Sequence, residues 1–107
     1  MIYWFYLILA ITFEVIGTTS MKLSDGFTKT IPSVLMFIFY ILSLIALTFA
    51  LKKFDVSSAY AIWSGVGTAL ITIVGFYLFK ESITITKIIS IALIIIGVVG
   101  LHLSGEH

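Results

Sequence analysis

Four apolar stretches, each long enough to cross a lipid bilayer as a helix, take up nearly the whole of this chain. They run over about residues 2–21, 31–51, 56–79 and 85–104. A helix climbs ~1.5 Å per residue, so about 20 residues span the ~30 Å hydrocarbon core. Runs of this length are unsuited to strands, and lipid admits only helices or closed barrels, because each backbone N–H and C=O must find its partner within the protein. The expected fold is therefore all-α and integral to the membrane, a single domain of four transmembrane helices over residues 1–107. The runs are separated by Lys22-Leu23-Ser24-Asp25-Gly26-Phe27-Thr28-Lys29, by Lys52-Lys53-Phe54-Asp55, and by Lys80-Glu81. Pro32 stands near the start of the second run, where its missing N–H costs no helical hydrogen bond. Connections this short make neighbouring helices antiparallel.

The charge content agrees with lipid as the main solvent. Only 10% of the 107 residues are charged and 61% are hydrophobic, against about a quarter charged in a soluble domain. The net charge is +1 and arginine is absent, which leaves no basic patch for nucleic acid. Cysteine is absent too, so disulfide and thiolate chemistry are excluded. The first run has no basic segment before it and three more apolar runs after it, and so reads as a span rather than a cleaved signal. Lys22, Lys29, Lys80 and Lys87 fall on one side, Lys52 and Lys53 on the other. The excess favours the first and third loops inside. The balance is close enough to permit insertion either way.

Glu14 is the one ionisable group well inside an apolar run. A charge there costs at least ~2.5–3.5 kcal/mol on insertion scales. A lysine near a helix end can snorkel to the surface, whereas a short central glutamate cannot. Desolvation disfavours its charged form, so the group holds a proton or, once ionised, a cation. The other reading is a neutral carboxyl that bonds helices together. At helical spacing from Glu14 stand Leu7, Ala10, Ile11, Gly17, Thr18 and Met21. Ala10, Gly17 and Thr18 are small, which leaves room beside the carboxylate or lets a helix pack closely there.

The third run carries Ala59-Tyr60-Ala61-Ile62-Trp63-Ser64-Gly65-Val66-Gly67, with Tyr60, Trp63, Ser64 and Gly67 on one face. Aromatic rings attract a cation lying over them by roughly 0.5–2 kcal/mol. Taken alone these rings read as packing residues or interface anchors; facing a lone carboxylate, Tyr60 and Trp63 read as a box for an aromatic or quaternary cation, to which Tyr40 of the second run could add a ring. Gly65 and Gly67 either permit a bend or allow close packing. In the fourth run Ser90, Leu93, Ile94 and Gly97 share a face whose small residues suit helix–helix association, and this helix reads as an assembly surface. His102 and His107 read as terminal polar residues, not metal ligands. Without a nucleophile–base pair or a metal cluster, the chain is not expected to be an enzyme.

These residues together resemble the Small Multidrug Resistance transporters over nearly the whole length. The resemblance is carried by Glu14-Val15-Ile16-Gly17-Thr18-Thr19, by Met21-Lys22 with Ser24, Gly26, Phe27 and Thr28, and by Ile31-Pro32-Ser33. Residues 59–67, Phe79-Lys80-Glu81 and Ile95-Ile96-Gly97-Val98-Val99-Gly100 complete it. Gly17 is similar to the quaternary-ammonium exporting branch, since the guanidinium-exporting branch usually has Trp there. Asp55 and Leu44 depart from the family's usual proline and aromatic. The resemblance implies a proton-coupled antiporter of lipophilic, aromatic or quaternary ammonium cations in the cell's inner membrane. It implies no cofactor other than protons as the coupling ion, and an antiparallel, dual-topology homodimer. Glu14 would bind proton and drug. Tyr60 and Trp63 would stack on the drug, with Tyr40, Leu7, Ala10, Ile11, Gly17, Thr18 and Ser64 around it. The alternative within the family is a guanidinium or polyamine exporter. Two oppositely inserted copies would make the inverted repeat that larger transporters hold in one chain.

Overall fold

The computed structural model describes residues 2–104. Its elements are α1 (Ile2–Leu23), α2 (Thr30–Ala50), α3 (Val56–Phe79) and α4 (Ile85–Ser104). All four are long and apolar enough to cross a membrane. α1 continues two residues past the expected end of its run and α2 begins one residue early. Lys22 ends the apolar run without ending the helix, because a cation in the last turn suits the helix dipole and its stem reaches outward.

The turn that does stop α1 is built on Ser24, which is buried. Its carbonyl accepts from the N–H groups of Thr28 (2.9 Å) and Lys29 (3.1 Å), and its hydroxyl donates to the Met21 carbonyl at 2.7 Å. Asp25, Gly26 and Phe27 all take positive φ, at 49°, 68° and 67°. Glycine and aspartate visit this region readily. Phe27 does not, and its ring lies stacked on Phe37 of α2 at 6.2 Å. In the third connection Lys80 turns the chain with φ 56°. The Thr84 hydroxyl then caps α4, accepting from the Lys87 N–H at 3.1 Å.

α1 lies between α2 and α3, and α4 packs chiefly on α3. The result is a flat body of 44 × 34 × 19 Å. α2 meets α1 through Met36, Ser43, Ala46 and Ala50, all buried. Three of these are small, so the helices come close enough for the Ser43 hydroxyl to donate to the Ala10 carbonyl at 2.7 Å. The apolar core sits toward the Lys52–Lys53 end, where Leu7, Ile11, Ala50, Phe54, Ala59 and Ile62 cluster. Against α3, α4 fits at Gly65, where an added Cβ would stand 2.7 Å from Val98 Cγ2. No residue of α4 is buried. Large apolar side chains are exposed on every helix, as contact with lipid or another apolar partner requires.

Candidate functional site

Glu14 stands on α1 at the edge of this core, on the side facing α3. Its two oxygens have unlike surroundings. Oε1 accepts a hydrogen bond from the Thr18 hydroxyl, one helical turn on, at 3.0 Å. Oε2 is buried and has no hydrogen-bond partner among the described residues. It lies against Gly67 of α3, where a Cβ would come within 3.0 Å of it. A buried acceptor left without a donor costs about 1–3 kcal/mol, and more when charged. The arrangement thus presents one half-satisfied carboxyl next to bare backbone.

The Thr18 hydroxyl is also 2.6 Å from the Tyr40 hydroxyl. Threonine has one hydroxyl proton, and it is directed to Glu14. With Glu14 ionised, the Tyr40 proton then points to Thr18, giving the chain Tyr40 O–H to Thr18 O–H to Glu14. The Tyr40 ring rests on Gly17, with ring carbons 3.1–3.4 Å from where a Cβ would be. Of the two readings for Gly17, room beside the carboxylate and close packing of a helix, the structure shows close approach, by the Tyr40 ring of α2. Tyr40 also hydrogen-bonds Thr18 through its hydroxyl, and no feature of α1 or α2 alone gives that pairing.

On α3, Tyr60 and Trp63 come together with ring centroids 5.4 Å apart and planes tilted by 54°. Tyr60 is 58% exposed. Trp63 is partly buried, and its indole N–H has no acceptor among the described residues. Gly67, one turn beyond Trp63, brings this face to Glu14. Ser64 is exposed, and its hydroxyl is spent on the Tyr60 carbonyl of its own helix at 2.8 Å. Leu7, Ala10 and Ile11 are at most 5% exposed and pack within the chain, where they shape the wall behind Glu14. α3 is continuous through Gly65 and Gly67. Of the two readings for these glycines, close approach describes both: Gly65 to α4 and Gly67 to the Glu14 carboxyl. Ser90, Leu93, Ile94 and Gly97 are exposed, away from Glu14. Ile94 also reaches Gly65, and Gly97 has nothing within 4 Å of an added Cβ. The ring of His102 lies 5.6 Å from that of Trp4, and His107 is outside the described residues. Among the described residues no three metal-ligating side chains gather.

Comparison with known proteins bears on this site. A family model described as Small Multidrug Resistance protein matches residues 2–94. Multidrug resistance protein EbrB of Bacillus subtilis (strain 168) is 49% identical over 102 residues, covering 95% of this chain and 87% of that one. Quaternary ammonium compound-resistance protein QacC of Staphylococcus aureus is 42% identical over 100 residues, covering 94% of each. A further relative, the membrane protein YvaE of Bacillus subtilis (strain 168), is 61% identical over 104 residues, or 97% of this chain and 87% of that protein.

Proposed function

This chain belongs to the Small Multidrug Resistance family of transporters, which are not enzymes, and from that premise we propose that it exchanges protons for hydrophobic, aromatic or quaternary ammonium cations across the cell's inner membrane. The observation that carries the reading is Glu14 Oε2, a buried carboxylate oxygen without a hydrogen-bond partner among the described residues, beside the bare backbone of Gly67 and on the face that leads to the Tyr60–Trp63 pair. An ionised carboxylate there attracts an organic cation without the directional bonds a metal would need, and the rings attract its π-facing side. Protonation removes the attraction. Proton and cation then compete for one group, and competition is what an exchanger requires. The likeness to QacC, a quaternary ammonium compound-resistance protein, supports the quaternary ammonium class.

The working unit is an antiparallel homodimer, with α4 as the assembly surface and two Glu14 carboxyls at one shared cavity. Like charges in such a cavity resist joint ionisation, which couples the two titrations. The test is proton release from the purified protein on addition of tetraphenylphosphonium. The wild type releases protons on binding, and Glu14→Gln neither binds at wild-type affinity nor releases them. Equal binding by both proteins would contradict the reading.

A further inference from the structure

The hydrogen bond from Thr18 to Glu14 reaches toward the end of the bundle that carries Lys22 and Lys80. There a pocket of about 140 Å³ is lined by Thr18, Lys22, Ile71, Gly75, Phe79 and Glu81. A wider opening of about 470 Å³ on the first-loop side is lined by Thr18, Met21, Lys22, Asp25 and Gly26. Thr18 is common to both, so a single hydrogen bond of 3.0 Å separates Glu14 from the lining of either space. A water takes ~30 Å³ in the liquid, and the smaller pocket has room for several.

Glu81 is held at the mouth of that pocket by its own turn. The chain reverses at Lys80, φ 56°, and the Glu81 N–H donates to the Gly75 carbonyl at 3.0 Å. The side chain folds over Gly75, and a Cβ at that position would collide with Glu81 Oε1. Glycine at 75 is thus the seat of a carboxyl on the water side of the route. The charged groups around it are Lys22 of α1, its neighbour Lys80, and Lys87 of α4, whose amine donates to the Ser82 carbonyl at 2.8 Å. Asp25 lies across the wider opening.

We propose that Glu81 is the outer proton carrier of the exchange, passing protons between water and Glu14 through the pocket that Thr18 floors. A proton leaving the Glu14 carboxyl is taken up by the Thr18 hydroxyl, which releases its own proton to water in the pocket; from that water a proton passes to the Glu81 carboxylate and is lost to bulk solvent. Loading runs the same path in reverse. Glu81 is exposed and can exchange with solvent directly, whereas Glu14 is partly covered and its Oε2 is buried. Lys22 opposite limits how long an organic cation dwells on this route, which keeps it a proton path. The proposal rests on the antiport reading above.

The experiment uses the full chain in lipid vesicles with tetraphenylphosphonium as the probe. It measures the rate of proton release on mixing, and equilibrium affinity at a pH where Glu14 is ionised. Glu81→Gln slows release by about tenfold or more, the scale of a lost positioned proton carrier, and leaves that affinity within about twofold, below the factor that one hydrogen bond contributes. Glu81→Asp keeps most of the rate. Gly75→Val, which expels the carboxyl from its seat, slows release as Glu81→Gln does. A wild-type rate in Glu81→Gln overturns the proposal and leaves the antiport reading standing. So does an affinity loss that parallels the rate, since Glu81 would then serve the cation site or the fold. A wild type that binds the probe without releasing protons overturns both.

Discussion

Tyr40, Gly67 and Trp63 bear on the proposed site in distinguishable ways. Tyr40 does not touch the carboxylate, but its hydroxyl completes the hydrogen-bonding of Thr18, so the Thr18 proton stays committed to Glu14. Tyr40→Phe removes about one neutral hydrogen bond, ~0.5–1.5 kcal/mol. Calorimetric cation affinity near neutral pH is expected to fall about three- to tenfold, since ~1.4 kcal/mol is one factor of ten. The sign of its pH dependence follows from the state it supports: the hydroxyl chain favours the ionised carboxylate. The deficit is therefore present while proton and cation compete and closes at high pH, where Glu14 is ionised in both proteins. Gly67→Ala separates binding from folding. Alanine favours the helix by about 1 kcal/mol over glycine, yet its Cβ would press on Oε2 at 3.0 Å. Thermal unfolding at or above the wild-type temperature, with cation affinity lower, is the expected result. Equal affinity would show that Oε2 is not part of the binding surface. Trp63→Ala removes a ring from the aromatic pair and should weaken planar aromatic cations by ~1–2 kcal/mol, about tenfold, while leaving Glu14 protonation intact by infrared titration of the carboxyl. The importance of Glu14 is legible in the sequence because one acid stands out against an apolar run. The pairing of Tyr40 with Thr18 is not, because the small residues Ser43, Ala46 and Ala50 suit a packing face of α2 without fixing which residue of α1 the Tyr40 hydroxyl meets.

Helix lengths follow from the bilayer requirement, and so the four elements were readable within two residues. What the runs do not reveal is which glycines separate helices and which face outward. Gly65 and Gly97 look alike as small residues in apolar helices. In the structure Gly65 is covered by Val98 and Ile94, while none of the described residues comes within 4 Å of a Cβ built at Gly97. The two positions therefore make opposite predictions. Gly65→Val forces α4 off α3 inside one chain, and should lower thermal stability by about 1–3 kcal/mol as over-packing does. Gly97→Leu leaves the folded chain undisturbed and lowers dimer content, if α4 is the assembly surface. Cross-linking yield and unfolding temperature, measured on both variants, check the pair. A Gly97→Leu protein with full dimer content would move the assembly surface elsewhere. α2 offers a parallel case: Ser43 reads as one polar residue in an apolar run, and only the fold brings its hydroxyl to the Ala10 carbonyl.

As a whole the molecule is a thin layer, 19 Å in its shortest dimension, with an acid on one internal face and one helix without a buried residue. Such a body has little interior in which to enclose a drug. A second copy would supply the missing wall in the proposed antiparallel dimer, which requires that the lysine excess of four against two still permit both orientations. Two protons entering for one monovalent cation leaving would carry one net charge inward, so a membrane potential adds ~2.3 kcal/mol per 100 mV to the export of each cation. The central claim is that proton and cation compete for Glu14. Its most direct test is the affinity for tetraphenylphosphonium, measured together with proton release, across the titration of Glu14. The account predicts affinity that rises with pH until Glu14 is fully ionised and then levels, with protons released on binding only below that plateau. An affinity that stays flat from about pH 5 to about pH 9, a span wide enough to cover a carboxyl titration displaced by its site, would contradict it.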